Sequence, residues 1–142
     1  MLRCGVLTGG GDSPGINAIL RSIVRFGAKH DVETVGFLEG WKGPLENLIR
    51  PLGPADVSGI LHIGGTILGS SRTNPFNVEN GPEKIQKNLE GNGIDFLIAI
   101  GGDDTMVVAH RLAPYGVKAI GIPQTIDNDI AMTDYTVGFF SA

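Results

Sequence analysis

The sequence predicts an α/β fold, a doubly wound and mostly parallel sheet with helices on both faces in a Rossmann-like three-layer arrangement. Three observations carry that reading. Short apolar runs alternate with stretches of helical spacing, the pattern of repeated strand–helix–strand units. Three of those runs end in loops of one chemical kind, rich in glycine and acidic residues, and open α/β sheets bind their ligands outside the carboxyl ends of the strands. Glycine fills 22 of the 142 positions, about twice the usual share of roughly 7%, and the excess sits in loops rather than in a low-complexity tract.

Residues 3–8 (RCGVLT) read as a buried strand that runs into residues 9–15 (GGGDSPG). Ile16, Ile19, Leu20, Ile23 and Val24 then recur at helical spacing, predicting a helix over 16–29. Residues 33–38 form the second strand. The middle, 39–82, reads as irregular; within it Pro54 introduces a short helix over 56–62, and a second glycine-rich stretch, 64–72, ends in the cation Arg72. A helix over 83–90 leads to a strand over 95–100, which ends in Gly101, Gly102, Asp103, Asp104 and Thr105. The helix that follows reaches residue 112 and has Asp104 or Thr105 to cap it. The last strand, 118–122, ends in Pro123, Gln124, Thr125, Ile126, Asp127, Asn128 and Asp129. No repeat or linker divides the chain, and its length suits one domain over 1–142. Residues 136–142 read as the lead-in to a further helix, so the sheet is expected to keep apolar surface without its covering helix, as in a fragment or a chain that needs a partner.

Taken singly, each loop is a tight turn with a helix cap. Together they offer more. Glycine lets backbone approach a phosphate closely, and a helix N-terminus supplies free N–H groups and the positive end of a dipole. Carboxylates at a strand end can serve as base and metal ligand. If the three strand ends lie side by side, the loops form one phosphate and metal site. Composition narrows the partners: 11 basic against 15 acidic residues give a formal charge of −4 with no basic run, which argues against nucleic acid. Cys4 is the one cysteine, so no intrachain disulfide forms, and its place in a strand makes it a small apolar filler in a reducing, cytoplasmic setting. No run of about 18 apolar residues predicts a membrane span. His30, His62 and His110 lack metal-ligand spacing. Arg21 and Arg25, one turn apart, read as a solvated helix face, and Trp41 either lines a site or packs.

Four segments carry a resemblance to the 6-phosphofructokinase family: residues 8–17 (TGGGDSPGIN), 64–72 (GGTILGSSR), 100–105 (IGGDDT) and 123–129 (PQTIDND), matching that family's signatures in order and spacing. The match covers the whole chain and about the N-terminal half of a family subunit. The resemblance implies Mg²⁺-dependent phosphoryl transfer to the 1-hydroxyl of fructose 6-phosphate, from diphosphate or ATP, in a homo-oligomer, dimer or tetramer. It implies that Asp127 is the base that takes the hydroxyl proton, that Thr125 and Ile126 contact the substrate, and that Asp129 supports base and metal. Asp103 resembles the Mg²⁺ ligand. Gly11, Thr73, Gly102, Asp104 and Thr105 resemble donor contacts, and Arg72 the cation that neutralises the transferring group. Such roles suit a reaction that is mostly positioning and electrostatic stabilisation.

Donor choice turns on two positions. ATP users in the family usually carry Gly where Asp104 stands, so Asp104 resembles the diphosphate branch, and Val108 leans the same way. Gln124 departs from both patterns, Lys in diphosphate users and Gly in ATP users. Two other readings stand beside this one: a kinase of another class with a Gly-Gly-Asp turn, which the TIDND segment disfavours, and a phosphate-binding chain without catalysis.

Overall fold

A computed structural model gives the structure for residues 1–9, 15–60 and 65–124. Its strands are β1 (Leu2–Thr8), β2 (Val32–Phe37), β3 (Ile49–Leu52), β4 (Phe96–Gly101) and β5 (Ala119–Pro123). They form one sheet in the order β3-β2-β1-β4-β5. β1, β2, β4 and β5 run parallel, and only β3 is antiparallel, pairing with β2 at the edge. The helices are α1 (Ile16–Lys29), α2 (Lys42–Glu46), α3 (Gly81–Gly91) and α4 (Asp103–Arg111). The predicted doubly wound, mostly parallel fold is the fold observed.

Alternation along the strands divides the core in two. Val6 and Ile100 face one side of the sheet, where they pack with Ile16, Leu20 and Val24 of α1. Leu7, Leu97 and Ala99 face the other side, against Ile85 and Leu89 of α3 and Val108 of α4. Because β1 and β4 are covered on both faces, each reads as a nearly continuous apolar run and not an alternating one. Each fully buried Leu or Ile contributes roughly 1.5–3 kcal/mol relative to exposure. At the β5 edge the α1 side is thinner: Ile120 is 54% exposed. Cys4 is buried within β1, and burial pushes its thiol up to about 12, so it stays protonated. No helix among the described residues is long and apolar enough to cross a membrane.

The chain moves outward from β1 through β2 to β3, then crosses to β4 and β5 on the other side of β1. The reversal therefore falls between β1 and β4, the switch point at which sheets of this kind open a crevice.

Four local expectations change. The middle of the chain is more ordered than its sequence suggests, since it contains α2, β3 and single turns of 3-10 helix at Pro54–Val57 and Pro75–Asn77. β3 carries Pro51, which removes a backbone donor and marks an edge position. The helix expected over 56–62 is only the turn Pro54–Val57, closed when Asp56 Oδ2 accepts a 2.7 Å bond from the Gly53 N–H; the chain leaves it extended at Ser58. α3 starts two residues early, with Pro82 in its first turn, where a missing N–H costs nothing. α4 starts at Asp103, so neither Asp104 nor Thr105 caps it: Gly102 is the N-cap, and both aspartates lie in the first turn, where their charge complements the helix dipole. His62 and the lead-in predicted over 136–142 lie outside the described residues.

Candidate functional site

The three loop-bearing strands β1, β4 and β5 are neighbours, as the shared chemistry of their loops required. Backbone bonding ties their ends together just past the ladders. Gly9 N–H donates to Ile100 C=O at 2.8 Å and Gln124 N–H to Gly101 C=O at 2.7 Å. The buried Thr105 side chain rests on Gly9 and Gly101. A Cβ at Gly101 would lie 2.6 Å from Thr105 Oγ1 and 2.7 Å from the Gly9 carbonyl. That crowding explains the glycine. Gly101→Ala is expected to destabilise the chain by about 1–3 kcal/mol, as overpacking does. Thr105→Ala should restore only part of this, because the Gly9 carbonyl remains in the way; full rescue in urea denaturation would refute the account.

The segment 65–73 is sewn to this corner. Thr8 Oγ1 lies 2.9 Å from Thr66 Oγ1 and donates to Gly69 C=O at 2.8 Å. Asn17 Oδ1, buried at the start of α1, accepts from Ile67 N–H at 3.0 Å. On the other side Ser71 Oγ donates to Glu39 C=O at 2.6 Å, and Glu39 N–H donates to Leu68 C=O at 2.9 Å. The loop after β2, which carries Trp41, is therefore tied to the loop that carries Arg72. Gly40, between them, has φ +61°, with the Thr8 carbonyl and Ser71 N–H close to where a Cβ would stand. Only glycine fits there without strain.

Between this segment and α4 opens a cleft of about 860 Å³. Arg72, Thr73, Asp104 and Thr105 all line it, four residues assigned to donor binding on sequence grounds. Trp41 both lines the cleft and packs into the core; it is 4% exposed, and its indole N–H has no hydrogen-bond partner among the described residues. Gly102 and Asp103 stand at the mouth of α4, off the cleft wall, with Asp103 exposed. Gln124 does not line the cleft either. It is 1% exposed at the end of β5, and its carboxamide N and O are unpaired among the described residues. Gly11, Thr125, Ile126, Asp127 and Asp129 lie outside the described residues.

The Phosphofructokinase family matches residues 3–142. The chain belongs to that family. A pyrophosphate–fructose 6-phosphate 1-phosphotransferase of Amycolatopsis methanolica is 58% identical over 142 residues, covering 99% of this chain and 42% of the relative. An ATP-dependent 6-phosphofructokinase of Streptomyces coelicolor is 49% identical, again over 99% of this chain and 42% of the relative. Phosphofructokinase from Saccharomyces cerevisiae superposes with a TM-score of 0.88 at 31% identity, over 99% of this chain and 22% of the yeast chain. The chain thus spans about two-fifths of the length of the curated relatives it matches.

The cleft also holds residues that sequence reasoning did not assign, among them Asn77, Val107 and Arg111. A signal for Arg111 was present. Asp104, Val108 and Arg111 fall at i, i+4 and i+7, one face of α4, and all three line the cleft. Asn77 had no such signal, because it reaches the cleft through a turn of 3-10 helix in a region read as irregular.

Proposed function

We propose that this chain carries the donor-binding part of a 6-phosphofructokinase, which transfers a phosphoryl group from diphosphate to the 1-hydroxyl of fructose 6-phosphate in glycolysis. The observation that carries the reading is the convergence of Arg72, Thr73, Asp104 and Thr105 on one cleft beside the switch point. In the proposed reaction the substrate's O1 attacks the near phosphorus of diphosphate, its proton passes to the Asp127 carboxylate, and the bond to the leaving phosphate breaks. Thr125 and Ile126 hold the substrate, and Gly11 and Arg72 contact the donor oxygens. Arg72 is exposed at the cleft wall, free to swing its planar fork onto a phosphate.

Asp104 supports diphosphate as donor. It places a carboxylate on the cleft wall where a longer polyphosphate would run along α4. The names and identities of the relatives lean the same way, 58% for the pyrophosphate enzyme against 49% for the ATP enzyme. A second reading, ATP as donor, has its own support: a cleft of about 860 Å³ is in the range that takes whole drug-sized ligands, and Gln124 brings no charge to the phosphate.

Mg²⁺ fits the residues present. Among the described residues no cluster of three or more His, Cys, Asp or Glu could cage a metal, but Mg²⁺ is usually bound by one or two carboxylates together with substrate phosphates and waters. Asp103, exposed at the start of α4, would be one such carboxylate and Asp129 the second. When bound, the ion would neutralise charge on the donor oxygens. The working protein is proposed to be a cytoplasmic homo-oligomer, dimer or tetramer.

Calorimetric titration of the 142-residue chain with diphosphate tests the donor site. Binding with Kd at or below about 1 mM, or −4.1 kcal/mol, is expected, with ATP weaker. No heat with either ligand would sink the reading. Turnover of fructose 6-phosphate by the same preparation separates a catalytic chain from one that only binds the donor.

A further inference from the structure

We infer that Arg111 is an anion-contacting residue of the cleft and that Phe76 is the residue that positions it. The inference rests on the reading of the cleft as a phosphoryl-donor site and names a cation and a positioning residue that the reading does not include.

Arg111 ends α4, and its guanidinium carbon lies 3.9 Å from the centroid of the Phe76 ring. Phe76 is held by three contacts, one to its backbone and two to its ring. Its backbone N–H donates to Asn74 Oδ1 at 2.9 Å, its side chain packs against the core on the α3 side, and Tyr115 meets it edge-on with centroids 6.1 Å apart at 61°. A cation over an aromatic face keeps its in-plane N–H groups free, so the stack holds one face of the guanidinium and leaves its five donors available. Arg111 forms no salt bridge among the described residues. Its position in the last turn of α4 also places the charge where the helix dipole favours it.

The composition of the cleft says what those donors would meet. Its charged lining residues are Arg72, Arg111 and Asp104. An anion drawn in by Arg72 alone would meet the opposing charge of Asp104, and the two would nearly cancel. Arg111, seven residues beyond Asp104 on the same helix face, tips the balance toward an anion. Trp41, which also lines the cleft, has an indole N–H that is buried and unpaired among the described residues, and buried donors are normally satisfied. A surplus of donors over acceptors fits a ligand rich in anionic oxygens. A purely structural stack, in which Arg111 does no more than shield Phe76 from water, would not require Arg111 to line the cleft.

The test is calorimetry with diphosphate on the 142-residue chain and its variants across a range of salt. Arg111→Met should raise Kd about tenfold, or 1.4 kcal/mol, and should flatten the dependence of Kd on ionic strength, since a screened charge pair is lost. Phe76→Leu should raise Kd about three- to fivefold, and Phe76→Tyr should restore it. In the Arg111→Met background, Phe76→Leu should add nothing further, because a positioning residue acts only through the group it positions. Arg111→Gln serves as the second variant if the methionine chain fails to fold. Unchanged affinity in a folded Arg111 variant, or an equal loss from Phe76→Leu with and without Arg111, overturns the inference while the donor site stands. Failure of the unaltered chain to bind diphosphate overturns both together.

Discussion

Asp127→Asn is expected to lower kcat for fructose 6-phosphate by about 10²- to 10⁴-fold, the usual loss when a positioned general base is removed. Asparagine keeps the size of the side chain and much of its hydrogen bonding but cannot accept the hydroxyl proton. KM for the sugar phosphate should change far less than kcat, because the interaction lost is one made in the transition state. The measurement belongs in a protein of the length of the relatives, with diphosphate saturating. A loss under about threefold would assign the proton to another group.

Asp104→Gly has the next largest expected effect, on donor choice. Asp104 lies in the first turn of α4 and on the cleft wall, so any polyphosphate laid along the helix passes its carboxylate. Two like charges about 4 Å apart repel by about 4 kcal/mol at an effective dielectric of 20. Asp104 is exposed, and screening reduces this to about 1–2 kcal/mol. Removing the carboxylate should therefore raise kcat/KM for ATP by about 5- to 30-fold and leave that for diphosphate within a few-fold. Gln124→Lys should act in the opposite sense, strengthening diphosphate use. Position 124 is fully buried, so the lysine should also destabilise the free chain and make its Tm depend on added diphosphate. A parent that already prefers ATP by more than tenfold would remove the argument from Asp104.

The parallel core of the sheet was legible because its signals are local and redundant. β1 and β4 are unbroken apolar runs flanked by glycine, and α1 has an apolar stripe at helical spacing. The middle was not legible. β3 is four residues long and contains Pro51, and it is a strand only because β2 offers it an edge, which is a tertiary fact. The cleft divides in the same way. Asp104 and Thr105 announced themselves through the motif at the end of β4, and Arg72 through the glycine-rich stretch it closes. Asn77 reaches the cleft because a turn folds back onto it, and no periodicity in the sequence encodes that approach.

The backbone bonds from Gly9 to Ile100 and from Gln124 to Gly101 continue the sheet's pairing one step beyond the strands themselves. Each holds the residue that follows its ladder, Gly9 or Gln124, in the frame of the sheet. Ordering one residue's backbone costs about 1–2 kcal/mol at 25 °C. At these two residues that entropy is lost when the sheet forms, before any ligand arrives. A ligand that binds at this rim does not repeat that cost.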